Sequence, residues 1–101
     1  MIEADRMNEL TSFQRDSLWI IAGLSDPNGV TIRDELEAYY DTAIQAGRLY
    51  PNLDTLVNKG LAHKDEVDGR TNAYTLTDHG HQVLDARCEW IGTYLNGIAD
   101  E

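Results

Sequence analysis

Lysine is nearly missing from this chain. Lys59 and Lys64 are its only examples, and all Lys and Arg together number 8 against 18 Asp and Glu, for a formal charge of -10. In ordinary salt such a surface repels polyanions. Near molar salt the Debye length falls to about 3 Å and that repulsion is largely screened, so the composition points to a salt-loving cell. The single cysteine, Cys88, excludes an internal disulfide. No apolar run approaches the ~18 residues of a membrane span, and "MIEADRMNEL" lacks the basic and apolar segments of a secretion signal. A cytoplasmic protein without membrane contact is expected. There is no glycine-rich phosphate loop and no grouping of nucleophile, base and orienting residue, so neither an enzyme nor a cofactor is expected. What remains is a chain of 101 residues, 42% hydrophobic and 26% charged, enough for one globular domain.

The hydrophobic pattern divides this domain. Residues 1–10 form an arm, polar apart from Ile2, Ala4, Met7 and Leu10, whose end can pack. "TSFQRDSLWIIAGL" carries apolar residues at helical spacing behind an N-cap at Thr11 or Ser12, with Gln14 or Arg15 in the first turn. "VTIRDELEAYY" predicts a second helix capped at Thr31 with Ile32, Leu36 and Tyr39 or Tyr40 inward; a short connection anchored by Ile44 follows. A third helix opens near Gly47 or Arg48, because Pro51 is tolerated in a first turn, and Gly60 stops it after Lys59. Leu49, Leu53, Leu56 and Val57 face inward. "DGR" between Leu61–Val67 and Ala73–Leu76 predicts a tight hairpin. The last helix, capped by Thr77 or Asp78 and mildly weakened by Gly80 and Gly92, is apolar on more than one face.

The fold class is therefore mainly α with a small β hairpin, in the order helix, helix, helix, strand, strand, helix. That is the winged helix-turn-helix plan, in which helix 3 enters the major groove of double-stranded DNA and the hairpin tip reaches phosphate or the minor groove. Four of the 8 basic residues, Arg48, Lys59, Lys64 and Arg70, fall in this stretch. Arg48 suits a bidentate contact to guanine, a phosphate at a helix N-terminus, or a surface ion pair. Asn52 and Thr55 suit base edges or simple solvation. Tyr50 suits the DNA backbone or the core. Arg70 suits phosphate or a narrow minor groove; Lys64 and Arg33 are placed for the backbone, and Lys59 for phosphate or its own helix dipole. Asp65, Glu66 and Asp68 crowd the hairpin, where potassium or other cations could sit between carboxylate and phosphate. The other reading is a winged-helix protein-interaction module or a DNA mimic, against which the cluster of basic residues argues.

"GRLYPNLDTLVNKGL" and "DGRTNAYTLTDHG", with the opening "LTSFQRDSLWIIAGL", resemble the PadR family of winged-helix transcriptional regulators, and more narrowly its small members in salt-loving archaea. The resemblance covers about Leu10 to Gly80. It implies a homodimer held through terminal helices, binding a roughly palindromic operator and usually repressing, with Arg48, Tyr50 and Asn52 at the helix 3 start and Gly69 and Arg70 at the wing tip. Thr71 and Asn72 stand where the family more usually has a proline and a basic residue. The expected organisation is an arm at 1–10, a DNA-binding domain at 11–76 and a dimerisation helix at 77–101, with Leu84, Trp90, Ile91, Tyr94, Leu95 and Ile98 as dimer contacts. Cys88 is expected as buried packing, or as a thiol sensor if exposed. His79 and His81, two apart on a helix, make a poor metal pair with it.

Overall fold

Helix α1 (Ser12–Gly23) begins where Thr11 closes a capping box: its hydroxyl accepts from the Gln14 amide at 3.2 Å while its own amide donates to Gln14 Oε1 at 3.1 Å. The computed structural model describes residues 7–99, with side chains as far as Leu95. Phe13, Leu18 and Ile21 are buried on one face of α1, and the buried Ser17 hydroxyl is satisfied by the Phe13 carbonyl at 2.8 Å. Met7 and Leu10 are buried too, and Arg15 Nε donates to the Met7 carbonyl at 2.8 Å. The end of the N-terminal arm thus belongs to the core.

Helix α2 (Gly29–Tyr40) starts earlier than expected. Asn28, not Thr31, is the cap, its Oδ1 accepting from the Thr31 amide at 2.8 Å. Asparagine is among the strongest caps, and the local sheet fixes it there: Asn28 bridges Ala73, and the Tyr74 amide donates to the Pro27 carbonyl at 2.9 Å. Ile44 is buried as the anchor of the connection, its amide donating to Glu37 Oε2 at 2.9 Å.

Helix α3 (Ala46–Asn58) also opens before its predicted start, with Gln45 as a cap that makes no side-chain bond. Pro51 therefore lies inside the helix. It deprives the Gly47 carbonyl of its usual amide partner, a cost that the burial of Leu49, Leu53 and Leu56, each at 0% exposure, offsets. The helix ends in a Schellman motif. The Leu61 amide donates to Leu56 O at 3.0 Å, the Gly60 amide to Val57 O at 3.0 Å, and Gly60 takes φ +77.

Strands β1 (Ala62–Glu66) and β2 (Asn72–Leu76) pair antiparallel with Ala62 opposite Leu76 and Glu66 opposite Asn72. The connection is longer than a tight turn. Val67 N donates to Thr71 O at 2.7 Å, and inside that loop the Asp68 carboxylate accepts from the Thr71 and Arg70 amides at 3.0 and 3.3 Å. Asp68 is itself the organising residue of the loop, an Asx turn. Leu61, Ala62 and Tyr74 are buried at the base of the hairpin, whereas His63 to Arg70 are exposed. β2 is held along its length, by the core at Tyr74 and by Pro27 and Asn28, whereas β1 beyond Ala62 and the connecting loop as far as Arg70 face solvent.

Helix α4 (Asp78–Ala99) is capped by Thr77, whose hydroxyl accepts from the Gly80 amide at 2.9 Å and donates to the Gly60 carbonyl at 2.6 Å. Gly80 is no mere weakness here. A Cβ at this position would collide with the Leu61 carbonyl oxygen, so only glycine lets α4 approach the junction of α3 and β1. Val83 and Leu84 complete the common core with α1, α2 and α3.

Candidate nucleic-acid interface

Helix α3 and the wing share a cleft of about 200 Å³ lined by Asn28, Gly29, Val30, Tyr50, Arg70, Thr71, Asn72 and Tyr74. Three elements meet there: the start of α2, the start of α3 and the wing tip. Tyr50, 38% exposed, leans on α2, and a Cβ on Gly29 would come within 2.6 Å of its ring. Tyr74 forms the buried floor, and burial raises its phenol pKa above the ordinary value. Arg70 contributes an exposed cationic side chain at the rim.

The polar residues of α3 are more committed than their sequence suggests. Arg48 is exposed but its guanidinium lies 4.1 Å over the Phe13 ring, a cation–π contact to α1. Asn52 is half-buried, accepting from Gln14 Nε2 at 2.9 Å and donating to the Arg48 carbonyl at 2.7 Å. Thr55 donates to the Pro51 carbonyl at 3.0 Å. Lys59 caps the helix end and is exposed. Lys64, on β1, reaches back to Asp54 at 3.4 Å. Arg33 is half-buried, and its Nε has no hydrogen-bond partner among the described residues.

Sequence reasoning misses three of these participants. Phe13 and Gln14 read along the chain only as core and cap of α1, and nothing in one sequence announces that they touch Arg48 and Asn52. Asp54 is the third. It lies at the exposed side of α3 beside Pro51 and Asn58, and the helical spacing from Leu53 and Leu56 is the signal that shows this. On the wing, His63 pairs with Asp65 at 3.0 Å, and Asp65, Glu66 and Asp68 are exposed. The two amide bonds to Asp68 hold its carboxyl below the ordinary value.

Away from this face, α4 carries an exposed apolar stripe of Trp90, Ile91, Tyr94 and Leu95. Trp90 and Tyr94 meet edge to face at 5.3 Å, and the Arg87 guanidinium lies 4.6 Å over Trp90. Leu84, expected with that stripe, is instead buried in the core, because it lies on the turn of α4 that docks against the hairpin base. The Ile98 side chain lies outside the described residues. Cys88 is exposed rather than packed inside. Asp16, Trp19, Ile20, Glu35 and Tyr39 line a second, mostly apolar groove between α1 and α2. Among the described residues no cluster of His, Cys, Asp and Glu is placed to hold a metal ion, and no helix is long and apolar enough to cross a membrane.

Comparison with known proteins agrees with this geometry. No curated protein matches the chain. The structure of RosR from H. salinarum grown from NaBr is 46% identical with a TM-score of 0.79, covering 86% of this chain and 78% of that one. A complex structure of hsRosR designated RosR-S1 is 45% identical with a TM-score of 0.84, covering 94% and 84%. MarR, at 17% identity and a TM-score of 0.62 over 92% of this chain and 69% of its own, shares the fold. The family described as the transcriptional regulator PadR-like family matches residues 18–86, from the buried face of α1 to the docked turns of α4. By that match and by its likeness to the halophilic RosR proteins, the chain belongs to the PadR-like family of winged-helix transcriptional regulators.

Proposed function

We propose that this regulator binds double-stranded DNA as a homodimer at a roughly palindromic operator and represses from it, in a cell with concentrated salt. One observation carries the reading: the start of α3, the start of α2 and Arg70 of the wing open onto a single cleft. A duplex with α3 in its major groove would meet the wing on the flanking backbone. Arg48, Tyr50, Asn52 and Thr55 then face base edges or the adjoining sugar–phosphate. Arg70, Lys64, Lys59 and Arg33 serve phosphate, Arg70 being the only one of these at the wing tip. A structure of the regulator MosR of M. tuberculosis in complex with DNA, 26% identical with a TM-score of 0.58 over 97% of this chain and 68% of that one, supports the mode.

With a charge of -10, the complex depends on its ionic surroundings. Potassium or other cations would sit between phosphates and the exposed carboxylates Asp65, Glu66 and Asp68 of the wing. The dimer would form through the stripe Trp90, Ile91, Tyr94 and Leu95, an exposed apolar surface of the kind that marks an interface.

The experiment is binding of fluorescent genomic fragments from about 0.1 M to several molar potassium chloride, alongside sedimentation in the same salts. Sequence-selective binding that persists or strengthens in molar salt, by a particle twice the 11.4 kDa chain, is expected. A steady fall in affinity with rising salt would remove the cation-bridged interface, and an 11.4 kDa particle would remove the dimer.

A further inference from the structure

An amide side chain has two ends of nearly equal size, and its neighbours decide which end points where. For Asn52 both neighbours decide alike. The Thr11 amide, a donor only, takes Gln14 Oε1 at 3.1 Å, so Gln14 must turn its NH₂ group toward α3, where it donates to Asn52 Oδ1 at 2.9 Å. On the other side the Arg48 carbonyl, an acceptor only, receives Asn52 Nδ2 at 2.7 Å. The Asn52 oxygen is thereby turned inward to α1, and one N–H is left over.

This bears on what Asn52 can read. A free asparagine recognises adenine by offering one donor and one acceptor together, and here the oxygen is held toward α1, with one of its two lone pairs taken by Gln14. We propose that Gln14 is a positioning residue that fixes Asn52 as a donor-only reader, so that α3 selects at this position for bases with major-groove acceptors. Guanine, with N7 and O6 side by side, fits best; thymine O4 and adenine N7 also fit, and cytosine, which shows only its N4 amino group, is rejected. The inference rests on the reading that α3 enters the major groove.

Gln14→Glu tests it without removing the helix start, because a capping box accepts Glu as readily as Gln. The introduced carboxylate can still accept from the Thr11 amide, but it offers Asn52 a charged acceptor in place of a donor. Asn52 then turns its NH₂ group toward α1, and its oxygen, repelled by the Arg48 carbonyl, faces the groove. Wild type, Gln14→Glu and Asn52→Asp are each used to select from a randomised pool of duplex DNA in molar potassium chloride, with circular dichroism confirming the fold. Wild type should favour an acceptor-bearing base at one position per half-site. Gln14→Glu should shift that position alone toward cytosine by roughly three- to tenfold, the worth of one hydrogen bond. Asn52→Asp still accepts from Gln14 but has no N–H, and should lose the preference there.

An unchanged base profile in Gln14→Glu, even with uniformly weaker binding from the added charge, overturns the positioning role. An unchanged profile in Asn52→Asp overturns the reading role and serves if Gln14→Glu does not fold. Should wild type select no sequence at any salt, the operator-binding function itself fails, and this inference with it.

Discussion

The start of α3 and the tip of the wing are both polar and exposed, and they are built in opposite ways. On α3 the polar groups are already spoken for: Arg48 on Phe13, Asn52 between Gln14 and the Arg48 carbonyl, Tyr50 against Gly29. At the wing tip it is the backbone that is organised, by Asp68, while the Arg70 side chain extends from an exposed loop. Groups fixed before binding lose little conformational freedom on contact, whereas a free arginine must be ordered at some cost. The contrast suits a rigid reader beside an adaptable clamp.

The largest expected effect breaks both regions at once. Gly80→Ala would push a Cβ into the Leu61 carbonyl, where α3 ends and the wing begins, and a destabilisation of about 1–3 kcal/mol is expected from such overpacking. Denaturant unfolding in molar salt measures it; an unchanged midpoint would mean that the contact relaxes without cost.

Arg70→Ala separates the two regions. It should weaken operator binding about tenfold, equivalent to about 1.4 kcal/mol, and leave the unfolding midpoint where it was, since the side chain is exposed. A loss of stability would show that the wing tip is part of the fold after all.

Phe13→Leu sharpens the claim that α3 is held in advance. Arg48 would lose a cation–π platform of the kind contributing about 0.5–1 kcal/mol at exposed sites, so affinity should fall a few-fold, together with some stability. If Arg48→Ala lowers affinity and Phe13→Leu does not, the platform does not position the arginine.

The smallest effect is in pH. Tyr40, beside Phe13, has its phenol pKa pushed up to about 12, first by burial and then by its hydrogen bond to Asp16. A raised pKa means that the folded state holds the proton longer than the unfolded chain. The associated stability is complete below the ordinary phenol value of 10.0 and is lost as pH rises from there through about 12. Tyr74, also raised, acts in the same direction. In urea titrations across that range Tyr40→Phe should flatten the fall, and an equally steep decline in the variant would assign it elsewhere.

Much of this arrangement could be read along the chain. The leucines of α3, the cap at Thr11, the Gly60 stop and the order of elements follow from local spacing and capping chemistry, which act over a few residues. Local reading fails where distant segments intervene. Asn28 displaces Thr31 as a cap where β2 holds Pro27 and Asn28, and Gly80 becomes indispensable because the Leu61 backbone passes beside it.

The candidate site divides in the same way. Its inventory, basic residues on α3 and the wing in an otherwise acidic chain, is written in the sequence, since residue identity sets charge and hydrogen-bonding capacity wherever the chain runs. Which of those capacities remain available was decided by tertiary structure alone. Gln14 and Asn52 are 38 residues apart, and no periodicity spans that distance; the direction of an amide is set by what the fold brings against it.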